Sequence, residues 1–257
     1  MDLRVIGCHG GETPKHRTSA FVVDDRLAID AGSLTSGLDL KAQCALEAVL
    51  VSHAHLDHVR DLATLADNRN QNRTQPLVVA GTKATIGVLR KHFFNGLLWP
   101  DFSRIPSVRK PAVRFLELSL EKTVTIAGYR VQAIGVNHTI DTSAFTVSRK
   151  GQALAYSGDT GPTDRLWEVL NQTPDLRALL MEVSFPNGES RLAHVSGHHT
   201  PETLARDLAK LEAPLAKELP ILLYHIKPSF QATVERECSR LRGLNLTVCG
   251  LGDQFLL

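Results

Sequence analysis

The sequence predicts one layered α/β domain over residues 1–257, with two packed β-sheets and helices on their outer faces. Three observations lead to this prediction. Strand-like apolar runs alternate with helix-like segments towards both ends of the chain, a series of strands fills its middle, and no segment rich in Gly, Ser or Pro divides it. A chain of 257 residues with 43% hydrophobic residues can also bury a large core.

The first half of the chain predicts strands that are followed by helices. The predicted strands are 3–7, 20–29 (a hairpin that turns at Asp24 and Asp25), 46–51 and 77–80. Apolar residues then recur at helical spacing in 57–68 and in 82–94, so each of the last two strands precedes a helix. We expect these helices to pack on the sheet.

The second half predicts a second sheet and its helices. The predicted strands are 113–118, 124–126, 129–136, 143–148, 152–156, 178–183, 220–224 and 244–248. A helix is predicted at 163–170, and another begins after Thr200, because threonine at the N-cap and proline at the first helical position start helices well. A last helix is predicted at 229–241, where Gly243 follows its end.

Regular periodicity fails between residues 94 and 111, where aromatic residues and three prolines are concentrated. A long ordered loop of this kind is often a functional lid, and Trp99 or Phe102 would then stack on a substrate. A loop packed by its own aromatics, or against another subunit, is an equally good interpretation. The sequence leaves both interpretations open.

The composition of the chain limits which binding partners and which cellular compartment we expect. The formal charge of +2 is too small to indicate a nucleic-acid partner, although cations can still cluster locally. The four cysteines form no CxxC pair, which favours reduced thiols in a cytoplasmic protein. No signal segment or membrane-length apolar stretch occurs, so we expect no export and no membrane partner.

The richest motif is the stretch from Ser52 to His58, which follows the predicted strand 46–51. Side chains two apart on a strand point the same way, so His53 and His55 are able to share one ion. Asp57 and His58 fall where the chain turns towards a helix and are placed to face a second ion. The alternative is a merely polar, histidine-rich loop, but four ligand-type residues at this spacing favour metal binding.

Three more ligand-type residues follow predicted strands: His138, Asp159 and His225. Any one of them alone would more often be a surface histidine or a turn aspartate. Together with the first motif they supply seven ligands. That number suits two ions that share one carboxylate and keep open positions for water.

This order of motifs, HxHxDH followed by His, Asp and His, resembles the metallo-β-lactamase superfamily. The resemblance implies a four-layer αββα sandwich with the site at the edge between the sheets. It implies that His53, His55 and His138 hold one ion, that Asp57, His58 and His225 hold the other, and that Asp159 bridges them. Histidine with carboxylate fits two zinc ions best, with manganese or iron as alternatives.

Further sequence motifs resemble those of the class II cyclic-nucleotide phosphodiesterases and span most of the chain. They are SHAHLDH at 52–58, SGDTG at 157–161, EVSFPN at 182–187, SGHHTP at 196–201 and HIKP at 225–228. The chain departs from the family at His199, where an apolar residue is usual, and at Cys8-His9, in a loop that tends to be richer in glycine. The resemblance implies hydrolysis of 3′,5′-cyclic AMP, or also cyclic GMP, to the 5′-monophosphate by a metal-bridged hydroxide.

Three residues of these motifs are candidates for roles in catalysis or in positioning a ligand. Asp57 is a candidate to take up the proton of the attacking water. His198, which precedes a helix N-terminus, is a candidate for phosphate binding or for protonation of the leaving 3′ oxygen, with a capping or supporting histidine as the alternative. Glu182 is a candidate to orient a metal-bound histidine, with a simple buried acceptor as the alternative.

Two rival functions remain open. One is a metal-dependent RNA 3′-end endonuclease of the same superfamily, because His198-His199-Thr200 also resembles its late His-x-Thr motif. The sequence shows no obvious basic arm for gripping RNA, which disfavours this function. The other is a noncatalytic scaffold or cyclic-nucleotide binder, although such proteins usually lose metal ligands. We expect a small cyclic nucleotide as the substrate and consider nucleic acid a poorer fit. The family resemblance also implies a homodimer.

Overall fold

The computed structural model describes residues 1–72 and 74–257, which form two seven-stranded sheets. The strands of the first sheet are β1 (Asp2–Gly7), β2 (Ala20–Val23), β3 (Leu27–Ile29), β4 (Ala48–Leu50), β5 (Leu77–Thr82), β6 (Val113–Leu118) and β14 (Gln254–Leu256). Those of the second are β7 (Thr123–Ile126), β8 (Tyr129–Gly135), β9 (Ser143–Arg149), β10 (Gln152–Tyr156), β11 (Leu176–Glu182), β12 (Ile221–Tyr224) and β13 (Leu246–Val248).

The first sheet has the order β14-β1-β2-β3-β4-β5-β6. Its first four strands pair antiparallel, and β3, β4, β5 and β6 pair parallel. The carboxyl ends of parallel strands meet at one edge of a sheet. Asp30 therefore follows β3 at the same edge as the His53 to His58 motif, which follows β4.

The second sheet has the order β13-β12-β11-β10-β9-β8-β7. Strands β10 to β13 pair parallel, whereas β9 runs antiparallel to both β8 and β10. Strand β8 consequently points the same way as β10 to β12. His138, Asp159, Glu182 and His225 all lie at or just beyond the ends of these four strands, so the topology gathers them at one edge.

Helices cover the outer face of each sheet. They are α1 (Leu34–Gly37), α2 (Leu40–Ala45), α3 (Leu56–Val59), α4 (Leu62–Gln71), α5 (Lys83–Val88), α6 (Arg165–Asn171), α7 (Ser190–Ser196), α8 (Pro201–Leu208), α9 (Leu215–Glu218) and α10 (Gln231–Cys238). One apolar cluster fills the space between the sheets, a second lies between the first sheet and α4 and α5, and a third lies between the second sheet and α6, α8 and α10. The predicted αββα sandwich is confirmed.

Most predicted strands are confirmed, and the hairpin between β2 and β3 turns at Asp24 and Asp25 as predicted. The helix predicted at 57–68 is instead two helices, α3 and α4. The interruption has a physical reason, because the Asp61 backbone N–H donates to the Ala31 carbonyl and the Asp61 carboxylate accepts from Thr35. These contacts join the metal motif to the loop after β3.

The sequence analysis missed several short elements. They are β14, α1, α2, α7 and α9. None of these exceeds seven residues, and a helix or strand of that length takes its stability from packing more than from its own propensity. Strand β14, for example, exists because it pairs with β1 along Asp2, Leu3 and Arg4.

The segment between α5 and β6 packs at the end of the first sheet opposite the metal motif. The Leu77 N–H at the start of β5 donates to the Ala112 carbonyl, and the Val113 N–H donates to the Phe102 carbonyl. Phe102 is buried and Trp99 packs against the same outer cluster. This position favours a loop packed by its own aromatics over a lid that closes on substrate.

Three of the four cysteines are buried, and the fourth, Cys44, is half-buried. Burial and the nearby Asp253 carboxylate raise the pKa of Cys8 to about 12, so its thiol stays protonated. Among the described residues, no helix is both long and apolar enough to cross a bilayer.

We predict that Phe21→Ala destabilises the fold by about 3–5 kcal/mol, the usual cost of emptying a buried aromatic site. The Phe21 ring is fully buried between the sheets and contacts Tyr156 and Tyr224 at centroid distances of 5.7 and 5.2 Å. Urea unfolding followed by circular dichroism measures the change. The matched control, Leu256→Ala, removes an exposed side chain and should change the free energy of unfolding by less than about 0.5 kcal/mol; equal effects of the two variants would contradict this packing.

Candidate metal centre

The first motif forms one wall of a cluster of imidazoles and carboxylates. His53 and His55 follow β4 in extended chain, and their Nε2 and Nδ1 atoms lie 3.1 Å apart. Helix α3 then begins and carries Asp57 and His58. The predicted division of the motif between an extended part and a helical part is therefore present.

All seven predicted ligands lie in this cluster, and they form two groups. In the first group, ligand atoms of His53, His55 and His138 lie within 4.8 Å of one another. The second group contains ligand atoms of Asp57, His58, Asp159 and His225 at the same spacing. Two further groups at the same spacing include His198: one with His138 and Asp159, and one with Glu182 and His225.

Asp159 connects the two groups. Its Oδ2 atom lies 3.7 Å from Nε2 of His53 in one group, and 3.2 Å from Nε2 of both His58 and His225 in the other. Its Oδ1 atom is buried and has no hydrogen-bond partner among the residues that the structure describes. A buried carboxylate with an unpaired oxygen is costly unless a cation or a donor faces it, so the arrangement fits a shared metal ion.

The chemistry of the donors also fits divalent metal ions. Imidazole nitrogens and carboxylate oxygens are the ligands that zinc and the neighbouring transition metals accept. His53, His58 and His225 are fully buried, Asp159 is almost fully buried, and Asp57 is half-buried at the open side. The centre is thus enclosed on the protein side and open towards solvent at Asp57.

Burial keeps most of these imidazoles neutral, which is the form that binds a metal. Burial lowers the pKa of His53 well below its usual range and also lowers the pKa of His55, His138 and His225. Burial acts against protonation of His58 too, but Asp159 and Asp30 outweigh it and raise the pKa of that imidazole. His58 would bind a metal ion only in its deprotonated form, so an ion held there would replace that proton.

The two carboxylates of the centre stay ionised. Burial would raise the pKa of Asp159, but His225 and His58 hold it well below its usual range. Burial likewise acts to raise the pKa of Asp57, and the hydrogen bond with His225 and the charge of His58 lower it far more. Both side chains are therefore anions that attract divalent cations.

Asp30 holds the Nδ1 side of the His58 ring, and the sequence analysis missed this role. Its Oδ2 atom lies 2.7 Å from Nδ1 of His58 and accepts from the hydroxyls of Ser52 and Tyr156 at 2.8 and 2.6 Å. Its Oδ1 atom accepts from the Ser52 N–H at 2.8 Å. An aspartate directly after a strand was the available signal, the same signal that identified Asp159.

Other ligands are held through the ring nitrogen that faces away from the centre. Nδ1 of His225 lies 2.9 Å from the Ser184 hydroxyl, and Nδ1 of His138 lies 2.9 Å from the Gly197 carbonyl oxygen. Such contacts fix the ring orientation and the tautomer of a metal-binding histidine. Ser184 of the EVSFPN motif therefore positions His225, and Gly197 of the SGHHTP motif positions His138.

Two glycines allow the backbone to approach these ligands closely. A Cβ atom on Gly10 would collide with the His225 carbonyl oxygen, and one on Gly197 would lie 3.0 Å from the His138 Cα atom. Gly197 also has a φ of 67° at the end of α7, a conformation that glycine adopts without strain. Side chains at either position would push His225 or His138 out of the cluster.

Glu182 and His198 form a pair beside the cluster. Glu182 is fully buried, and its Oε1 atom accepts from the backbone N–H groups of Thr160 and His199 and lies 3.3 Å from Nδ1 of His198. Burial raises the pKa of Glu182 above its usual value. Glu182 thus contacts His198 directly and connects to His225 through the Ser184 hydroxyl.

His198 occupies the margin of the centre. Its ring stacks on His225 at a centroid distance of 5.2 Å and meets His138 at 5.0 Å. Its Nδ1 atom faces Glu182 and Ser184, and within the described residues Nε2 makes no hydrogen bond. Burial lowers the pKa of this imidazole.

An αββα sandwich with two adjoining His and Asp groups at the edge between its sheets is an arrangement that suits metal-assisted hydrolysis. A model of the β-lactamase superfamily domain matches residues 32–222, so the chain belongs to the metallo-β-lactamase superfamily and is a hydrolase of that family. The predicted family is confirmed, and the fold of that family implies divalent metal ions.

Comparison with known proteins adds three relatives. A probable 3′,5′-cyclic-nucleotide phosphodiesterase of Yersinia pestis is 29% identical over 90% of this chain and 79% of its own. A ribonuclease Z of Bacillus licheniformis is 24% identical over 90% of each chain. The structure of unliganded yeast PDE1 superposes with a TM-score of 0.84 at 19% identity, over 100% of this chain and 99% of that chain, which supports the fold.

We predict that Asp30→Asn weakens metal binding about 10–100-fold, the usual effect of losing a supporting hydrogen bond to a metal-binding histidine. The substitution keeps the shape of the side chain but removes the charge that faces His58. Competition with a chelator, followed by elemental analysis, measures the affinity. Asp25→Asn is a matched control, because Asp25 has a φ of 55° against 56° for Asp30 but lies on the surface; unchanged affinity in Asp30→Asn would refute the role.

Proposed function

We propose that this protein hydrolyses the 3′,5′-cyclic phosphodiester of cyclic AMP, with cyclic GMP as a second candidate substrate, to the nucleoside 5′-monophosphate. The observation that carries the proposal is Oδ2 of Asp159, which lies within 3.7 Å of ligand nitrogens from both groups. Such an arrangement suits two adjacent cations, which is the centre that phosphodiester hydrolysis uses. The name of the relative from Yersinia pestis supports the same reaction.

In this proposal His53, His55 and His138 hold one ion, and Asp57, His58 and His225 hold the other, with Asp159 shared. Zinc is the proposed metal, with manganese or iron as alternatives, because the donors are mostly imidazoles. When bound, the two ions supply an acidified water and offset negative charge on the phosphate. The remaining chemistry belongs to side chains of the protein.

His198 is the proposed group for the phosphate or for the leaving 3′ oxygen. Nδ1 of its ring faces Glu182 and Ser184, which leaves Nε2 as the nitrogen available to substrate. A histidine whose far nitrogen is held by a carboxylate keeps a fixed orientation, and the carboxylate stabilises the ring when it is protonated. Glu182 is therefore a positioning residue for His198.

Asp57 is the proposed acceptor for the proton of the attacking water. Its carboxylate lies at the open side of the centre, 3.4 Å from Nε2 of His225 and 3.9 Å from Nε2 of His58. Because the pKa of Asp57 is held far below its usual value, it accepts this proton only transiently. The proton then passes to solvent.

Processing of RNA 3′ ends is the second candidate, and the relative named ribonuclease Z favours it. No basic protruding arm that would hold RNA is obvious in the sequence. A cyclic mononucleotide requires no such arm, so it remains the preferred substrate.

Location and assembly belong to the same proposal. We place the protein in the cytoplasm, where cyclic nucleotides and reduced cysteines both occur. A homodimer and the absence of a nucleic-acid partner stay predictions from the sequence. A noncatalytic cyclic-nucleotide binder is the remaining alternative, and turnover separates it from the enzyme.

We predict that zinc-loaded protein converts 3′,5′-cyclic AMP to 5′-AMP and that Asp159→Ala and His53→Ala abolish the product. Chromatography of the nucleotides after incubation measures it, with 2′,3′-cyclic AMP and precursor tRNA as competing substrates in separate reactions. His92→Ala, at an exposed histidine, is the control and should retain turnover. Cleavage of tRNA alone, or stoichiometric nucleotide binding without product, would overturn the proposal.

We predict that His198→Ala lowers kcat about 10²–10⁴-fold, which is the usual contribution of a proton-transfer group. Metal content should stay at the wild-type level, because His198 is not one of the seven proposed ligands, although its ring also lies within 4.8 Å of ligand atoms of His138 and Asp159. Steady-state kinetics and elemental analysis of the same preparation give both quantities. His194→Ala, four residues away and exposed on α7, is the matched control; a parallel loss of metal in His198→Ala would assign His198 to the ion sites instead.

A further inference from the structure

Residues 83–114 carry an excess of positive charge. This segment holds seven lysines and arginines and a single acid, Asp101. The net charge of the whole chain is only +2, so the rest of the chain is net negative. The seven cations are Lys83, Arg90, Lys91, Arg104, Arg109, Lys110 and Arg114, and all are exposed.

These cations are not neutralised by neighbours. The salt bridges among residues 1–72 and 74–257 involve other lysines and arginines, such as Arg60, Arg149, Arg165 and Lys210. Arg90 instead lies over the face of Phe115, with its guanidinium carbon 4.8 Å from the ring centroid. The surface formed by residues 83–114, called the 83–114 surface below, therefore presents free positive charge to solvent.

Large aliphatic side chains project from the same surface. Leu97 is 92% exposed, Leu98 is 62% exposed and Val108 is 71% exposed. Such exposure costs free energy in water unless the side chains contact an apolar partner. Basic residues together with exposed aliphatic side chains in one segment are the combination that binds at the interface of an anionic membrane.

The 83–114 surface is ordered by contacts beneath it. The Gly96 N–H donates to the Trp99 carbonyl and closes the turn that carries Leu97 and Leu98. The Ala112 N–H donates to the Ile105 carbonyl and closes the loop that carries Val108. The exposed side chains are thus presented by anchored turns, which lowers the entropy cost of binding.

We propose that the 83–114 surface docks on the face of an anionic phospholipid bilayer. Leu97, Leu98 and Val108 enter the headgroup region, and the surrounding lysines and arginines contact lipid phosphates. No helix spans the bilayer in this arrangement. The sequence analysis expected no membrane partner, because it considered only spanning segments, and the 83–114 surface departs from that expectation.

A polynucleotide suits the 83–114 surface less well. Proteins that hold single-stranded nucleic acid stack bases on exposed aromatic rings. Here Phe93, Phe94 and Phe102 are buried and Trp99 packs in the outer core, so the exposed apolar groups are aliphatic. Leucine and valine gain from entering lipid and gain little from contact with bases.

A second copy of the chain also suits the 83–114 surface poorly. A two-fold symmetric dimer places the same patch on both subunits, so unpaired cations would meet their own copies. Like charges across an interface are strongly unfavourable, and the surface holds only Asp101 to offset them. The charge complementarity of the surface is with an anion.

Docking in this way leaves the metal centre accessible. Residues 89–112 pack near the start of β5 and β6, where Leu77 contacts Ala112, whereas the metal motif follows the end of the parallel strand β4. Leu97, Leu98 and Val108 are therefore at the opposite end of the first sheet from the metal motif, whereas Lys83 follows the end of β5 at the same end as that motif. A dissolved substrate would reach the centre of a bilayer-bound molecule from the aqueous side.

Sedimentation with lipid vesicles tests the proposal. Full-length protein should pellet with vesicles of phosphatidylcholine and phosphatidylglycerol and stay in solution with phosphatidylcholine alone. The double variant Arg109→Glu/Lys110→Glu should lower the partition coefficient at least about tenfold, because each basic residue contributes to attraction by the anionic surface. Leu97→Ser/Leu98→Ser should lower it about tenfold through lost insertion.

Matched variants control for charge and folding. Arg240→Glu/Arg242→Glu makes the same change in net charge at exposed positions elsewhere, and Leu256→Ser removes an exposed leucine elsewhere; both should pellet like wild type. Far-ultraviolet circular dichroism verifies that all variants fold. Equal pelleting with both vesicle types, or equal partition of the 83–114 variants and their controls, would overturn the proposal.

Two further outcomes would also overturn it. Binding of a single-stranded RNA oligonucleotide without binding of anionic vesicles would assign the 83–114 surface to nucleic acid. A lower mass of Leu97→Ser/Leu98→Ser than of wild type in sedimentation equilibrium, with no vesicle binding by either, would assign it to a second copy of the chain. Neither measurement depends on the proposed phosphodiesterase activity, so the two proposals fail separately.

Discussion

The constraint on which the structure depends is the burial of imidazoles and carboxylates in one place. His53, His58 and His225 are fully buried against Asp159, which leaves one carboxylate oxygen without a partner among the described residues. Such groups cost folding free energy in a dry interior unless they are paired or bind a cation. These residues join the edges of the two sheets, and a metal ion bound among them would offset this cost.

The sequence predicted that these seven residues come together, because most of them follow strands. His53 and His138 come from different sheets, but each lies just beyond a strand that ends at the common edge. Parallel pairing of β10, β11 and β12 then gathers the residues that follow them. Buried strands are recognised from apolar runs of four to eight residues, so both the layered fold and the positions of the ligands were accessible from pattern alone.

Interactions that depend on packing were not accessible in the same way. Asp30 was not identified as a site residue, since nothing in the neighbouring sequence shows that Ser52, His58 and Tyr156 converge on it. The segment 94–111 offered two interpretations, because its aromatic residues are equally suited to a lid and to a core. Hydrogen bonds at the far end of the sheet decide between them, and those bonds join residues distant in sequence.

The central claim is that two divalent ions share Asp159 at this edge. The most direct measurement is anomalous X-ray diffraction at the zinc absorption edge from crystals grown with zinc. The account predicts two adjacent peaks, one among His53, His55 and His138 and the other among Asp57, His58 and His225, with Asp159 touching both. A single peak, or peaks away from these residues, would contradict it.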